Sequence, residues 1–411
     1  MPSPASRRIT ADELALRLGV EPERVDRLAD AGVIERDADG RFDPGDVHRV
    51  RLVNAFEETG TPLAALIEAS RAGRISLRYY DELHPAPGQL SGRTYAEFGA
   101  SLGERREHLT RLFAAFGLAE PEPDVRLPEA DEALIAAVLD IVVATGQPDL
   151  GLRAVRTLGE GARRAADSAL GLYGEAVARE DAYDLQGLPV DALFEKLLRP
   201  WARFVKQSSE LAAWLTSRQL SRAIDEYSIV ETERILETDG YVATRLEAPP
   251  AVAFVDLTGF TRLTEERGDE VAAGIALRLG EVTAEVVAPL GGRVVKLLGD
   301  GVLVRFDEAA AAVEATLLLL ARLPAADLPT GHAGVAAGPL IVREGDVFGR
   351  TVNMAARIAD VAPDGFLYVP ASVAAELPSG AFETRPVATQ VLQGIGVVPL
   401  VDVIRNDEPN R

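Results

Sequence analysis

Two aspartates, Asp256 and Asp300, each stand at the end of a strand-like run. Val252-Ala-Phe-Val-Asp256 reads as a buried strand ending in its carboxylate, and Leu257-Thr-Gly-Phe-Thr261 as a turn that opens a helix. Arg293-Val-Val-Lys-Leu-Leu298 and Val302-Leu-Val-Arg-Phe306 read as strands joined by Gly299-Asp300-Gly301, a tight turn whose glycines permit positive φ. If this hairpin pairs beside the first strand, both carboxylates reach one sheet edge, next to a helix N-terminus whose N–H groups suit phosphate. Close carboxylates repel unless a cation separates them, so the pattern points to a divalent metal site for a nucleoside triphosphate. Asn353 and Arg357 lie four apart on a predicted helix, hence on one face, where both can reach one ligand.

The elements that must position these residues alternate from residue 252 onward. Helices are predicted over 268–287, 308–323 and 350–361, with strands over 332–342 and 366–369, an α+β pattern. No serine, cysteine or histidine stands out as a nucleophile.

Three blocks in order, Phe254-Val-Asp256-Leu-Thr-Gly-Phe-Thr261, Lys296-Leu-Leu-Gly-Asp300-Gly and Gly345-Asp346-Val-Phe-Gly-Arg-Thr-Val-Asn353-Met-Ala-Ala-Arg357, resemble the motifs of class III adenylate/guanylate cyclase catalytic domains, in particular the subgroup with a shortened dimerisation arm. The resemblance covers about residues 250–405 and implies a ferredoxin-like βαββαβ core and a homodimer with active sites at the subunit interface. It implies two Mg²⁺ or Mn²⁺ ions per site, held by Asp256, Leu257 and Asp300. One ion lowers the pKa of the ribose 3′-hydroxyl and the other neutralises the phosphates. Thr258, Gly259, Phe260 and Thr261 belong to the substrate-binding turn: backbone N–H groups from Thr258 to Thr261 face the phosphates, Phe260 packs, and Thr261 caps the helix. Lys296 and Asp346 are the pair that reads the base. An ammonium donates to adenine N1 and a carboxylate accepts from the N6 amine, whereas guanine reverses that pattern, so ATP is expected over GTP. By resemblance Asn353 orients the ribose, and Arg357 stabilises charge on the α-phosphate. Two positions depart from the family. Gly338-Pro339 stands where an arginine often follows the glycine, and Leu392-Gln393-Gly394 replaces a Leu-Lys-Gly, so weak ATP binding is expected, with Arg343 or Arg350 to compensate.

Ahead of this domain the sequence is helical by period. Residues 1–72 open with Thr10-Ala-Asp-Glu13, a capping box; Gly19, Pro22 and Gly32 punctuate a helix, turn and helix, and Val33-Ile34, Asp39-Gly40 and Phe42 could form a small wing before a third helix over 46–58. This resembles the winged helix-turn-helix of MerR-type regulators. Residues 73–245 form a helical regulatory domain, interrupted at His84-Pro-Ala-Pro-Gly88 and Glu120-Pro-Glu-Pro123. It includes a long connecting helix, or two joined helices, over about 200–238, on which Trp201, Phe204, Val205, Ser208, Leu211, Ala212 and Leu215 share a face. Gly240 and Pro249-Pro250 end the linker, and residues 246–405 are the catalytic domain. In architecture the front half resembles the autoinhibitory domain of actinobacterial soluble cyclases. His48, His84 and His108 within it suggest a response to pH.

Composition sets the limits. A net charge of −21 over 411 residues repels phosphate backbones at long range, and the first 50 residues hold 11 acidic against 8 basic side chains. A nucleic-acid partner is disfavoured. The chain has no cysteine, which excludes disulfides and thiolate zinc sites, and it shows neither a leader-like start nor an apolar run long enough for a bilayer. A cytoplasmic protein with no membrane partner is expected. The competing reading is a MerR-like transcriptional regulator whose cyclase-like domain only senses nucleotide. A diguanylate cyclase would need a Gly-Gly-Asp/Glu-Glu-Phe block, which is absent.

Overall fold

The computed structural model describes residues 8–75, 77, 84, 88–179, 192, 199–242 and 248–406. The chain divides into two compact units, Met1–Glu233 and Arg234–Arg411. The division falls within a helix, and the domain boundary expected near residue 246 lies outside the described residues. No helix among the described residues is long and apolar enough to cross a membrane.

The first unit is helical. It begins with α1 (Ala11–Leu18), α2 (Pro22–Asp30), α3 (Asp46–Glu58) and α4 (Leu63–Arg71). Thr10 accepts from the Glu13 N–H at 3.2 Å, and Gly19 ends α1 in the left-handed conformation that a C-cap requires. Leu14, Val25, Leu28, Phe42, Val50 and Val53 close a core around these helices. Among the described residues the wing region forms no strand pair, and an isolated bridge joins Phe42 to Ile9. A second cluster, with Phe98, Leu112 and Leu139 at its centre, is built by α5 (Tyr95–Ser101), α6 (Leu109–Phe116), α7 (Glu129–Ala144) and α8 (Pro148–Arg179). The expected connecting segment is one helix of 40 residues, α9 (Arg199–Thr238), on which Leu211, Trp214, Leu215, Leu220 and Ile224 are exposed.

The second unit is a seven-stranded sheet with helices on both faces. Its elements are β1 (Ala251–Leu257), α10 (Phe260–Arg267), α11 (Asp269–Val287), β2 (Arg293–Leu297), β3 (Gly301–Phe306), α12 (Ala309–Arg322), β4 (Gly331–Ala337), β5 (Ile341–Arg343), β6 (Asp346–Phe348), α13 (Arg350–Ala359), β7 (Leu367–Pro370), a one-turn α14 (Ala371–Ala374), β8 (Phe382–Pro386), β9 (Gln390–Leu392), β10 (Gly396–Val398) and β11 (Leu400–Arg405). The large sheet runs β2-β3-β1-β4-β7-β11-β8. Its first four strands are antiparallel neighbours in the ferredoxin-like order, so the expected βαββαβ core is present.

Alternation along β1 sorts the side chains. Ala251, Ala253, Val255 and Leu257 face a core completed by Leu279 and Val282 of α11 and by Ala312 and Leu319 of α12. Val252 faces the opposite core, with Ala355 and Ile358 of α13, and by the same alternation Asp256 lies on that side. The strand expected over 332–342 is broken into β4 and β5. Pro339 cannot donate to a ladder, and a Cβ on Gly338 would stand 2.8 Å from Thr351 Oγ1, which itself donates to the Pro339 carbonyl at 2.9 Å. β5 and β6 form a separate hairpin through Glu344-Gly345, whose φ values of 53° and 80° are those of a type I′ turn.

Candidate active site

The pairing of β1 with β3 sets Asp256 opposite Gly301, directly after Asp300. The Leu257 N–H donates to the Asp300 carbonyl at 3.0 Å, fixing the turn against the end of β1. A Cβ on Gly301 would stand 2.7 Å from Asp256 Oδ1, so glycine is the residue that leaves room for this carboxylate. Burial pushes the Asp256 carboxyl above its ordinary range, and the neighbouring charge of Asp300 pushes it further, with Asp360 adding a smaller push and His332 partly offsetting it. Two carboxylates in mutual repulsion suit a divalent cation, which relieves the strain that each places on the other. Among the described residues no three His, Asp or Glu side chains converge as a ready cage. A site that draws its remaining ligands from phosphates and water needs only one or two carboxylates, and in that sense the residues fit.

The turn after β1 differs in detail from the sequence reading. The Thr258 N–H already donates to the Thr330 carbonyl at 2.8 Å, and its hydroxyl donates to Asp364 at 2.8 Å, so its amide is not turned toward a phosphate. Gly259, at φ 71°, occupies the N-cap of α10, and Thr261 lies inside the helix rather than capping it. The first backbone bond of α10 runs from Leu263 N to the Gly259 carbonyl, which leaves the N–H groups of Phe260, Thr261 and Arg262 ahead of the ladder. Phe260 packs against the core.

Lys296 and Asp346 come together across 50 residues, Nζ to Oδ2 at 2.7 Å. Burial alone would raise the Asp346 carboxyl, but the Lys296 ammonium and the Val347 N–H, which donates to Oδ1 at 2.7 Å, hold it below the ordinary carboxylate range. A register shift in β2 between Val294 and Lys296 sets the lysine's position in the strand. Asn353 and Arg357 are both exposed on α13, and Arg357 donates to Asp360 at 2.8 Å. Arg343 and Arg350, the possible substitutes for the family's missing phosphate contacts, are exposed on β5 and at the first residue of α13, and Gln393 is exposed after β9.

One residue escaped the sequence reading. His332 on β4 is the register partner of Asp256, and its Nε2 stands 3.9 Å from Asp256 Oδ2. Its Nδ1 lies 2.9 Å from the Ala359 carbonyl at the end of α13. A Cβ on Gly334 would come within 2.4 Å of the backbone of Ala355 and Ala359, so this glycine lets α13 lie close enough on β4 to hold the ring. No local pattern marks His332, which is found only once β4 is placed beside β1.

The chain is 30% identical over 289 residues to the pH-sensitive adenylate cyclase MT1302 of Mycobacterium tuberculosis, covering 67% of this chain and 68% of that protein. It is 29% identical over 289 residues to an adenylate cyclase of Streptomyces coelicolor, covering 69% and 72% respectively. Among solved structures, the adenylyl cyclase CyaB from P. aeruginosa aligns at 19% identity with a TM-score of 0.35, over 39% of this chain and 96% of that one. No family model matches.

Proposed function

The chain belongs to the class III adenylate cyclases, and we propose that it converts ATP to 3′,5′-cyclic AMP and pyrophosphate at sites that two copies of the chain build together. The observation that carries this reading is the meeting of Asp256 at the end of β1 with Asp300 in the turn between β2 and β3, with the Lys296–Asp346 pair formed in the same unit.

In this reading the ribose 3′-hydroxyl gives its proton to solvent water, its oxygen bonds to the α-phosphorus as the bond from that phosphorus to the bridging oxygen breaks, and pyrophosphate leaves with the electron pair. Two Mg²⁺ or Mn²⁺ ions, when bound, acidify the 3′-hydroxyl and neutralise the phosphates. Asp256 and Asp300 would hold them, with the Leu257 carbonyl beside. Lys296 donates to adenine N1 while Asp346 accepts from the N6 amine. Asn353 orients the ribose. Arg357 turns to the α-phosphate; its bond to Asp360 is an exposed pair of the kind worth about 0–1 kcal/mol, which a phosphate displaces readily. The test is cyclic AMP formation by the full chain with ATP and a divalent cation. Product that survives Asp300→Ala would contradict the site.

Regulation by the first unit belongs to the same proposal. The exposed apolar residues of α9 give a second copy a surface to cover, and the helix a route for coupling. The rings of His48 and His84 in this unit stack with centroids 4.3 Å apart, and histidine is the side chain that carries a pH response in this reading. The transcriptional-regulator reading has less support. Arg24, Arg36 and Arg49 of the first helices and their connection are bonded to Glu57, to Asp26 and Asp30, and to Asp46, not presented as a basic surface.

A further inference from the structure

Thr258 is tied down twice where β1 leads into α10. Its N–H donates to the Thr330 carbonyl at 2.8 Å, which carries the pairing of β1 with β4 one residue beyond Leu257 and Gly331. Its hydroxyl donates to Asp364 Oδ1 at 2.8 Å, across 106 residues of chain. Asp364 belongs to the turn Pro363-Asp364-Gly365-Phe366 between α13 and β7, closed by the Phe366 N–H donating to the Pro363 carbonyl at 3.0 Å. Gly365 takes a φ of 82°, as the third position of a type II turn requires. Its N–H donates to the Gly331 carbonyl at 2.7 Å, and the Ala333 N–H donates to the Phe366 carbonyl at 3.0 Å. Asp364 is therefore carried on backbone already fixed to the start of β4, and it reaches Thr258 from there.

The bond has an electrostatic cost. A carboxylate beside a turn that receives phosphates works against an anionic substrate, the more so in a chain of net charge −21. Against that cost stands orientation. With both the amide and the hydroxyl of Thr258 held, the chain enters Gly259, at φ 71°, along one path. The N–H groups of Phe260, Thr261 and Arg262, which lie ahead of the α10 ladder, are then set before a ligand arrives. We propose that Asp364 is a positioning residue for this turn: through the Thr258 hydroxyl it holds the free amides at the start of α10 in place for the triphosphate of ATP. This inference rests on the reading of the turn as part of the substrate site.

The test is steady-state cyclic AMP formation by the full chain and its variants, with melting temperatures measured alongside. Asp364→Ala should raise KM for ATP about tenfold and change kcat less, because the amides meet the phosphates before the transition state as well as in it. Asp364→Asn keeps an oxygen acceptor without the charge and should stay within about twofold of the unaltered protein. Thr258→Val should reproduce the Asp364→Ala loss, and the double variant should be no worse than either single one, since both remove the same bond. Melting temperatures should stay together, because the bond is exposed. If Asp364→Asn and Asp364→Ala both lower KM, the carboxylate only repels substrate and the proposal is overturned. Additive losses in the double variant would overturn it too, as would a lower melting temperature with KM unchanged, which would assign the pair to the fold. Binding of inorganic triphosphate, measured by titration calorimetry, separates this failure from failure of the premise. If the unaltered chain binds it and Asp364→Ala binds it equally well, only the positioning role is wrong; if the unaltered chain neither binds it nor cyclises ATP, the reading of the turn as a phosphate site is wrong.

Discussion

At the scale of the residue, Asp256 is held in an environment that opposes its own charge. Burial and Asp300 raise its folded pKa above the unfolded value, so the folded chain binds this proton more tightly than the unfolded chain. The sign follows: the group favours folding less once pH rises above its unfolded pKa, and the penalty is fully present above the folded pKa. Asp256→Asn should therefore abolish cyclic AMP formation while raising the melting temperature of the metal-free protein at neutral pH, as calorimetry with and without chelator would show. A lower melting temperature would mean that the carboxylate serves the fold. Lys296 and Asp346 are bonded to each other, and if this pair reads the base, the expected effect of changing it is on base choice. The unaltered protein should strongly prefer ATP to GTP in kcat/KM. Lys296→Glu with Asp346→Cys should erode that ratio at least tenfold, since each mismatched group costs about 1–3 kcal/mol. Equal turnover of ATP and GTP by the unaltered protein would contradict the assignment.

At the scale of the element, the site depends on how closely α13 lies on β4. Gly334→Ala would force a Cβ against the Ala355 carbonyl and the Ala359 amide, both at 2.4 Å, and backbone cannot yield as a side-chain tip can. Urea denaturation should show a loss of about 1–3 kcal/mol or more, and the His332 contact should loosen with it. Unchanged stability would mean that α13 shifts freely, and that the ring is not fixed. The elements that sequence reveals well are those with a local signal. The strand into Asp256, the glycine-bracketed turn at Asp300 and the third helix over 46–58 stand where period and turn chemistry place them. The misreadings are also physical. Apolar alternation continues across Gly338-Pro339, but the missing N–H and the approach of Thr351 split the strand. Thr261 is a good cap by type, yet Gly259 takes the position because the turn needs positive φ there. His332 depends on a register between strands about 75 residues apart, which no local pattern carries.

At the scale of the whole molecule, a helical unit precedes a cyclase unit in a chain of net charge −21, so local cations must hold an anionic substrate against the general field. If the helical unit controls the catalytic one, removing residues up to about 245 should change specific activity several-fold. The ratio of full-length to truncated activity should also vary between about pH 5.5 and 8, where histidine titrates. Identical kinetics with and without the front unit would refute control, and a flat ratio would refute the pH response.

The central claim is that two copies build the site, with Asp256 and Asp300 from one chain serving ATP that is read by Lys296, Asp346, Asn353 and Arg357 of the other. Its direct measurement is complementation. Asp300→Ala and Arg357→Ala are made separately, each homodimer is shown to be inactive, and the two are mixed under conditions where subunit exchange is verified. A heterodimer then holds one site with both lesions and one with neither, so activity should return to at most about half per dimer, and less after statistical mixing. A mixture that stays inactive despite exchange would place both groups in the same subunit and contradict the account.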